Sequence, residues 1–297
     1  MTLFSKHIGV FCLLLSALLC AETIPADSAI TAFPQKIAIQ FLARYPYTSF
    51  VGKTLDGKTL KTNRSVDIGI GGGYGDFTWS SVFAFSFGFD KEKPRSYATD
   101  HQLDYYGDRF FWRLYLKAID GFFYDVETEE KKFEKADLLL VESGFNLNYL
   151  WNKEHSLRAA YSLDRRQWKS NGSFIWGVGL YYTGILSRDS LMPYFEDYQQ
   201  FLYTGPDIGY SYTWIFENGW FVNLLGIASV NWGMNLTKKS SLRFFQILPQ
   251  FATGFHGDSW SIHFPMPVRI LTFQTDDELS EINLFYASFG FMVTKRF

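Results

Sequence analysis

Hydrophobic and polar residues alternate with a period of two along most of this chain. From Phe77 to Phe89, aromatic residues fill nearly every second position, and small or hydroxyl residues fill most of the positions between them. The closing stretch, Asn283 to Phe297, repeats this pattern and ends on an aromatic residue. Because side chains alternate across a strand, the pattern predicts β-strands with one apolar face. Long stretches with the 3.6-residue period of an amphipathic helix are missing.

From residue 64 onward, turn residues divide the chain into segments of strand length. Segments 97–106 and 109–120 flank Gly107-Asp108, a dipeptide that suits a two-residue hairpin turn. The register set by this turn predicts one apolar face with Leu103, Tyr105, Phe110, Trp112, Leu114 and Leu116. It predicts a charged face with Gln102, Asp104, Arg109, Arg113, Tyr115 and Lys117. A charged face this wide is unsuited to a sandwich core and fits the wet interior of a barrel.

A second hairpin is predicted between Leu138–Trp151 and Ser156–Asp164, with a turn at Asn152-Lys153-Glu154. Its polar face would add to the interior charge. The predicted interior charges are Asp104, Arg109, Arg113, Lys117, Glu142 and Arg158. Opposite charges on neighbouring strands can pair and close a lumen, or they can line an open one.

These segments predict an all-β fold, an antiparallel transmembrane β-barrel of about twelve strands. Each predicted strand is long enough for the roughly 9–11 residues that a tilted strand needs to cross a bilayer. The strand number has a range of ten to fourteen, because short and long connections fail to alternate between Arg165 and Leu202. The barrel is assigned to residues 64–297, and residues 22–63 are predicted to be a periplasmic lead-in. A soluble periplasmic β-sandwich is the remaining alternative.

Composition agrees with a barrel in a membrane. The 297 residues include 31 Phe, 18 Tyr and 9 Trp, so that aromatic residues make up 20% of the chain and charged residues another 20%. Mean hydropathy of -0.07 argues against a helical membrane protein but not against a barrel, whose strands are only half apolar. The net charge of -2 gives no basis for nucleic-acid binding.

Residues 1–21 are predicted to be a signal peptide. A short polar start with Lys6 precedes an apolar run from Ile8 to Leu19 that is too short to cross a bilayer as a helix. Cleavage after Cys20 or after Ala21 fits equally. The sequence therefore predicts secretion through the inner membrane of a Gram-negative bacterium and insertion into the outer membrane. The expected partners are membrane lipid and the outer-membrane barrel assembly machinery, with terminal Phe297 as the assembly signal; the oligomeric state is left open.

Two functions are compatible with this fold. The first is a small channel for polar solutes or a structural barrel without enzymatic activity. The alternative is a barrel hydrolase acting on envelope lipid, with Ser261 as nucleophile and His263 as base, because both lie on one face of a predicted strand. Such a site needs a group to orient the histidine, and Glu142 or Asp104 would serve only if the barrel brought it close. His256 lies in a predicted turn and is expected to be solvated.

The histidines beyond the signal lack zinc-site spacing, so the sequence predicts neither a metal site nor a cofactor. The glycine-rich stretch from Gly69 to Gly75 contains GxG patterns, which in nucleotide-binding proteins open a helix. Here another strand is predicted to follow, so these glycines are interpreted as strand residues.

Several short motifs occur in a characteristic order along the chain. They are Tyr106-Gly107-Asp108-Arg109-Phe110, Gly121-Phe122-Phe123, Gln167-Trp168-Lys169-Ser170-Asn171-Gly172-Ser173-Phe174 and Gly209-Tyr210-Ser211-Tyr212-Thr213. From about Phe33 to Phe297 the chain resembles an uncharacterised bacterial family, the domain-of-unknown-function family four-four-two-one. The resemblance implies a secreted, β-rich outer-membrane protein and implies no activity. Gln167, Ser170, Gly172 and Ser173 are its motif positions, also compatible with a tight turn before a close-packed strand.

Overall fold

The computed structural model describes residues 29–52, 58–84, 89–126, 132–161, 164–187, 198–275 and 281–297. The predicted signal peptide at residues 1–21 lies outside these ranges. The first strands are β1 (Ile30–Ala32), β2 (Ile37–Gly52), β3 (Thr59–Thr62), β4 (Asp67–Tyr74), β5 (Phe77–Ala84), β6 (Tyr97–Tyr106), β7 (Phe110–Asp125) and β8 (Phe133–Leu150). The helix α1 (Leu157–Tyr161) follows. The remaining strands are β9 (Arg165–Gln167), β10 (Asn171–Ser187), β11 (Tyr198–Ile215), β12 (Trp220–Asn235), β13 (Ser240–His256), β14 (Trp260–Thr275) and β15 (Glu281–Arg296). Among these described residues, no helix has the length and apolar character needed to cross a membrane.

Twelve strands form a closed antiparallel ring in the order β2, β4, β5, β6, β7, β8, β10, β11, β12, β13, β14 and β15. The ring closes where β15 pairs with β2, from Ile282–Gly52 to Arg296–Ala38. The short strand β3 lies between β2 and β7 at one end, and β1 pairs with β9 in a separate two-stranded sheet. The predicted all-β barrel of about twelve strands is confirmed.

The barrel begins upstream of the boundary predicted at residue 64. Strand β2 lies within the stretch predicted to be a lead-in, yet it is the wall strand to which β15 pairs. Its outward Ile39 and Tyr45 are exposed, whereas its inward Thr48 is buried. The alternation was obscured by Pro46, a residue unusual in strands. Pro46 is accommodated opposite Ser288 on the final strand, a pairing that only the closed ring supplies.

The first predicted hairpin has the expected register. Leu103 lies opposite Leu114, and Asp104 lies opposite Arg113. The outer face of this pair is apolar and the inner face is charged, as the sequence predicts.

The second predicted hairpin is wrong in its second half. Strand β8 pairs with β10 rather than with residues 156–164, where the chain forms α1 and then leads into β9. A five-residue helix has no room to display its period, so its sequence can be mistaken for a short strand. Removing this false wall strand and adding β2 gives twelve wall strands whose connections lie at alternate ends of the barrel, although the connection between β8 and β10 is long.

The two faces of the wall differ as a membrane barrel requires. Large apolar side chains point outward and are exposed on all sides of the ring; among them are Ile39, Trp79, Leu114, Trp176, Ile208, Trp232 and Phe289. Phe297 lies beside the start of β2, since its amide donates to the Ile37 carbonyl at 2.9 Å. We call this the short-turn end, because the β4–β5, β6–β7, β11–β12 and β13–β14 connections also lie there. The opposite end is called the loop end.

Apolar side chains fill the interior toward the loop end. Phe201, Phe244 and Phe273 come from three strands and pack together, with ring centroids 5.1–6.3 Å apart. Tyr203 stacks on Phe244 at 4.0 Å. Around them lie further buried residues, which include Phe50, Phe122, Leu138, Leu140, Ile185, Leu242, Leu271 and Leu284. We call this set the aromatic cluster; it closes the lumen by close packing.

Candidate functional site

Between the aromatic cluster and the short-turn end, polar and charged side chains surround two adjoining cavities. Their volumes are about 200 and about 170 Å³. They share lining residues, among them Arg44, Asp100, Arg113, Gln250 and Ser288. We treat them as one space and call it the central chamber. Its size suits a small molecule or one chemical group of a larger one.

Most charged groups around the chamber are paired. The Arg113 Nε donates to Asp104 at 2.7 Å, the pair predicted by the hairpin register. Arg44 donates from Nε to Asp67 at 3.1 Å and lies 2.9 Å from Asp100 through Nη2. Such pairs compensate part of the cost of removing charges from water.

A second group of contacts spans the lumen. The Arg269 Nη1 donates to Glu142 at 3.0 Å, and the Tyr286 hydroxyl donates to the same carboxylate. Arg269 also donates from Nε to Gln246 at 3.1 Å. Glu142 is on β8, whereas Arg269 and Tyr286 are on β14 and β15. The carboxylate of Glu142 therefore ties together opposite sides of the barrel.

Lys117 differs in its pairing from the other charged residues around the chamber. It lies opposite Asp100 on β6 and Glu142 on β8, but it forms no ion pair with any residue that the structure describes. Asp100 is instead paired with Arg44, and Glu142 with Arg269. The Lys117 ammonium lies 3.3 Å from the centroid of the Tyr286 ring, a cation–π contact. Lys117 lines the chamber.

The structure brings four of the six predicted interior charges together around the chamber: Asp104, Arg113, Lys117 and Glu142. Arg109 is wrong as an interior residue, because it bonds the Tyr149 hydroxyl at 2.6 Å on the exposed rim. Arg158 is buried but lies in α1 rather than on a wall strand.

Sequence reasoning missed Arg44 and Arg269. Arg44 was hidden because its strand was assigned to the lead-in. Arg269 could have been predicted as an inward residue, because it is an even number of positions from Ser261 and His263 and therefore shares their face of the strand.

Residues 151–161 and 164–170, which we call the plug, close the lumen at the short-turn end. The Arg158 side chain is 3% exposed and donates to Asp76, to the Gly75 carbonyl, and to the Tyr106 carbonyl at 2.8 Å. The Tyr161 hydroxyl donates to Asn223 at 2.7 Å. The plug is thus fastened to turns and walls on several sides.

The predicted pairing of Ser261 with His263 is wrong. The Ser261 hydroxyl lies 2.9 Å from Nδ1 of His256, and the His256 Nε2 lies 2.8 Å from the Ala159 carbonyl of α1. Arg296 donates to the Ser261 hydroxyl at 2.7 Å. Both ring nitrogens of His263 lack a hydrogen-bond partner within the described residues.

His256 is therefore buried beneath the plug rather than solvated. A carbonyl orients its ring, whereas Glu142 and Asp104 are engaged with Arg269 and Arg113. Ser261 is 1% exposed. This geometry fastens α1 to β13 and β14, and it leaves the hydroxyl no room to meet a lipid substrate.

The family motif residues hold the plug against the wall. The Gln167 side chain accepts from the Ser156 amide at 3.0 Å, and Ser170 accepts from the Ile215 amide at 2.9 Å. Ser173 accepts from the Asn152 amide at 3.0 Å. At Gly172 an added Cβ atom would stand 2.9 Å from the backbone oxygen of Ser211 on the neighbouring strand, so the close strand contact favours glycine. The observed role of these positions is structural.

The fold and the occluded chamber define a closed β-barrel of the outer-membrane class. The chain belongs to the family described as Domain of unknown function (DUF4421), whose model matches residues 26–297. The resemblance inferred from the motifs is confirmed. No curated protein matches the sequence.

Solved structures with a similar overall shape are outer-membrane barrels. The translocator domain of the autotransporter NalP from Neisseria meningitidis has a TM-score of 0.44 and 10% identity, covering 99% of this chain and 97% of its own. The outer membrane protease OmpT from Escherichia coli has a TM-score of 0.37 and 8% identity, covering 94% and 100%. The toluene transporter TodX from P. putida has a TM-score of 0.33 and 7% identity, covering 89% and 91%. These likenesses assign no activity to this chain.

Proposed function

We propose that this protein is an integral outer-membrane barrel that binds a small anionic group in its central chamber. Its apolar exterior supports placement in the membrane. Short turns face the periplasm in bacterial barrels, so the plug would face the periplasm and the aromatic cluster the cell exterior. Secretion through the inner membrane by residues 1–21 and recognition of Phe297 by the barrel assembly machinery belong to the same proposal. The aromatic side chain of Phe297 is exposed, as a recognition signal requires.

One observation carries the binding function: Lys117 places an ammonium group at the chamber without a carboxylate partner among the described residues. An unpaired charge in a site of low dielectric is costly, and an incoming anion would remove much of that cost. The interior carboxylate of Asp207 is not a partner for Lys117 either, because it lines neither cavity and accepts a hydrogen bond from Ser229. The chamber therefore favours a carboxylate, phosphate or sulfate group beside Lys117 and Arg269.

The packing at both ends argues for binding rather than free passage. The aromatic cluster and the plug lie above and below the chamber, and their principal side chains are buried. A polar solute crossing the barrel would have to displace one of these layers. The small-channel interpretation therefore requires a gate, whereas binding in the chamber does not.

Thermal unfolding of the detergent-solubilised protein tests this proposal. A ligand that binds only the folded state raises its midpoint. We expect at least one member of a panel of acetate, octanoate, phosphate and sulfate to stabilise the wild type, and we expect Lys117→Met to lose that shift. Lys61→Met is the matched control, because Lys61 pairs with Asp125 at 2.6 Å at the partly exposed loop end. A shift that persists in Lys117→Met, or a panel without any effect, would overturn the proposal.

A further inference from the structure

Strands β14 and β15 are not paired over four successive positions. Their backbone pairs run from Trp260–Lys295 to His263–Met292 and resume only at Val268–Ala287. Two prolines, Pro265 and Pro267, lie in this interval, and neither has an amide hydrogen to donate. On its other side, β15 keeps its pairs with β2 through the same positions. We call this interruption, residues 264–267 and 288–291, the seam.

The seam is a wall of the central chamber. Pro265, Pro267, Ser288 and Gly290 all line the cavity of about 170 Å³. Gly290 lies so close to the Pro265 ring that an added Cβ would stand 3.0 Å from it. Side-chain packing therefore closes the seam in place of backbone hydrogen bonds.

Aromatic rings cover the seam on the lipid side. Phe264 lies across from Phe289 and Phe291, with centroid distances of 6.5 and 5.5 Å. Phe289 is half exposed on the outer surface. Separating these rings replaces aromatic contacts with lipid contacts and breaks no backbone pair. Parting two fully paired strands would instead expose unsatisfied backbone groups to lipid at several kcal/mol each.

The unpaired cation of the chamber lies beside the seam. The Lys117 ammonium contacts the Tyr286 ring, and Tyr286 and Ser288 are adjacent inward positions of β15. Asp100 also lines the chamber, opposite Lys117 on the neighbouring strand, but its negative charge is compensated by Arg44 at 2.9 Å. A path from lipid to cation thus crosses one layer of side chains, whereas the paths from water cross the plug or the aromatic cluster.

We propose that the seam is a lateral portal and that the ligand is an amphiphile with a monoanionic head. Its head group lies beside Lys117, and its apolar chain leaves between β14 and β15 into the hydrocarbon layer. This inference rests on the anion-binding function proposed above and adds the class of ligand and its route. It accounts in one arrangement for the unpaired Lys117, the missing backbone pairs and the closed ends.

Binding of radiolabelled dodecanoate to the full-length protein in nanodiscs of uncharged lipid tests the proposal. The variant Val268→Cys/Ala287→Cys places two cysteines at the directly opposed pair that borders the seam and keeps both prolines, and a disulfide there holds the two strands together at the edge of the seam. We expect oxidation to slow dodecanoate association at least tenfold and reduction to restore it, so that the reduced protein serves as its own folding control. Ala228→Cys/Ile247→Cys, opposed positions on the fully paired β12–β13 boundary, should bind at the same rate in both redox states. Phe264→Ala, which uncovers the seam, should accelerate association.

Competitors and one charge variant separate the possible failures. Lys117→Met should weaken dodecanoate affinity at least tenfold, and acetate, phosphate and dodecyltrimethylammonium should not displace the ligand. Unchanged affinity in Lys117→Met would overturn the anion site itself. Affinity lost in Lys117→Met, with association unaffected by the disulfide, would overturn only the portal. Displacement by acetate or phosphate would show that the site takes soluble anions from water and would overturn the amphiphile assignment.

Discussion

The ammonium group of Lys117 lies 3.3 Å from the centroid of the Tyr286 ring, although their strands, β7 and β15, are not neighbours in the barrel. This contact crosses the lumen. It places the Lys117 ammonium, which has no ion-pair partner among the described residues, beside the seam. Within the described β14–β15 boundary, the seam is the only stretch that lacks backbone pairs. Position, charge and wall structure together define the candidate site.

Removing Glu142 should destabilise the barrel far more than removing the charge of Lys117. Glu142→Gln leaves the Arg269 guanidinium without its carboxylate, and breaking a buried pair from one side costs about 3–5 kcal/mol. Lys117→Met removes a charge that has no pair, so the ligand-free protein should lose less than about 1 kcal/mol. Urea unfolding in lipid vesicles measures both. Equal stability of Glu142→Gln and the wild type would show that the transluminal contact contributes nothing.

Arg158→Ala should loosen the plug. The Arg158 side chain is buried and bonds two turn carbonyls and two carboxylates, so its loss leaves several groups unsatisfied. We expect cleavage of the plug by thermolysin to become at least tenfold faster. Arg165→Ala is the control from the same segment, because its partners Asp108 and Asp76 are both exposed and such pairs contribute about 0–1 kcal/mol. Equal cleavage of the two variants would contradict the anchoring role of Arg158.

Plug docking should weaken as the pH falls from about 6.5 toward 4. Burial lowers the pKa of His155 to about 4, whereas a solvated histidine has a pKa of about 6.5. Above both values the ring is neutral in either state and contributes no pH dependence. Between them, the released plug binds a proton that the docked plug does not, so the equilibrium shifts toward release. Thermolysin cleavage of the plug, corrected for the pH dependence of the enzyme on a model peptide, should therefore rise from pH 7 to pH 5. His155→Leu should flatten this rise, and a profile identical to the wild type would exclude His155 as its cause.

Loss of Phe297 should impair assembly rather than binding. Its ring is exposed at the short-turn end, and its backbone continues the pairing with Ile37, so its side chain is available to a receptor. We expect Phe297→Ser and deletion of Phe297 to reduce the outer-membrane fraction in cells, measured by heat-modifiable migration on gels. Phe216→Ser, a change at another exposed aromatic of the same end, is the control. Normal insertion of both Phe297 variants would exclude the targeting role.

Most wall strands of the barrel were predictable, because the alternation of apolar and polar residues that marks a membrane strand lies within the sequence of the strand itself. The register of Asp104 with Arg113 follows from one two-residue turn. Strand β2 was not predictable in the same way, because Pro46 interrupts its pattern and its strand character depends on β15, far away in the sequence.

The candidate site could not be predicted in the same way, because its residues meet through contacts between positions far apart in the sequence. Glu142 and Arg269 are 127 positions apart and meet only because the ring curves both strands toward the lumen. His256 was expected in water, yet α1 folds over it, and five residues are too few for a helical period to identify that helix. The prolines of the seam were visible in the sequence, but their meaning depended on the cavity behind them.

Conductance of the purified protein in a planar lipid bilayer tests the central claim most directly, namely that the aromatic cluster and the plug close the lumen around an internal chamber. We expect the wild-type barrel to insert, as shown by its heat-modifiable migration when recovered from vesicles, and to carry no steady current. A stable ohmic conductance in the wild-type protein would contradict it, because ions would then pass both layers without a gate.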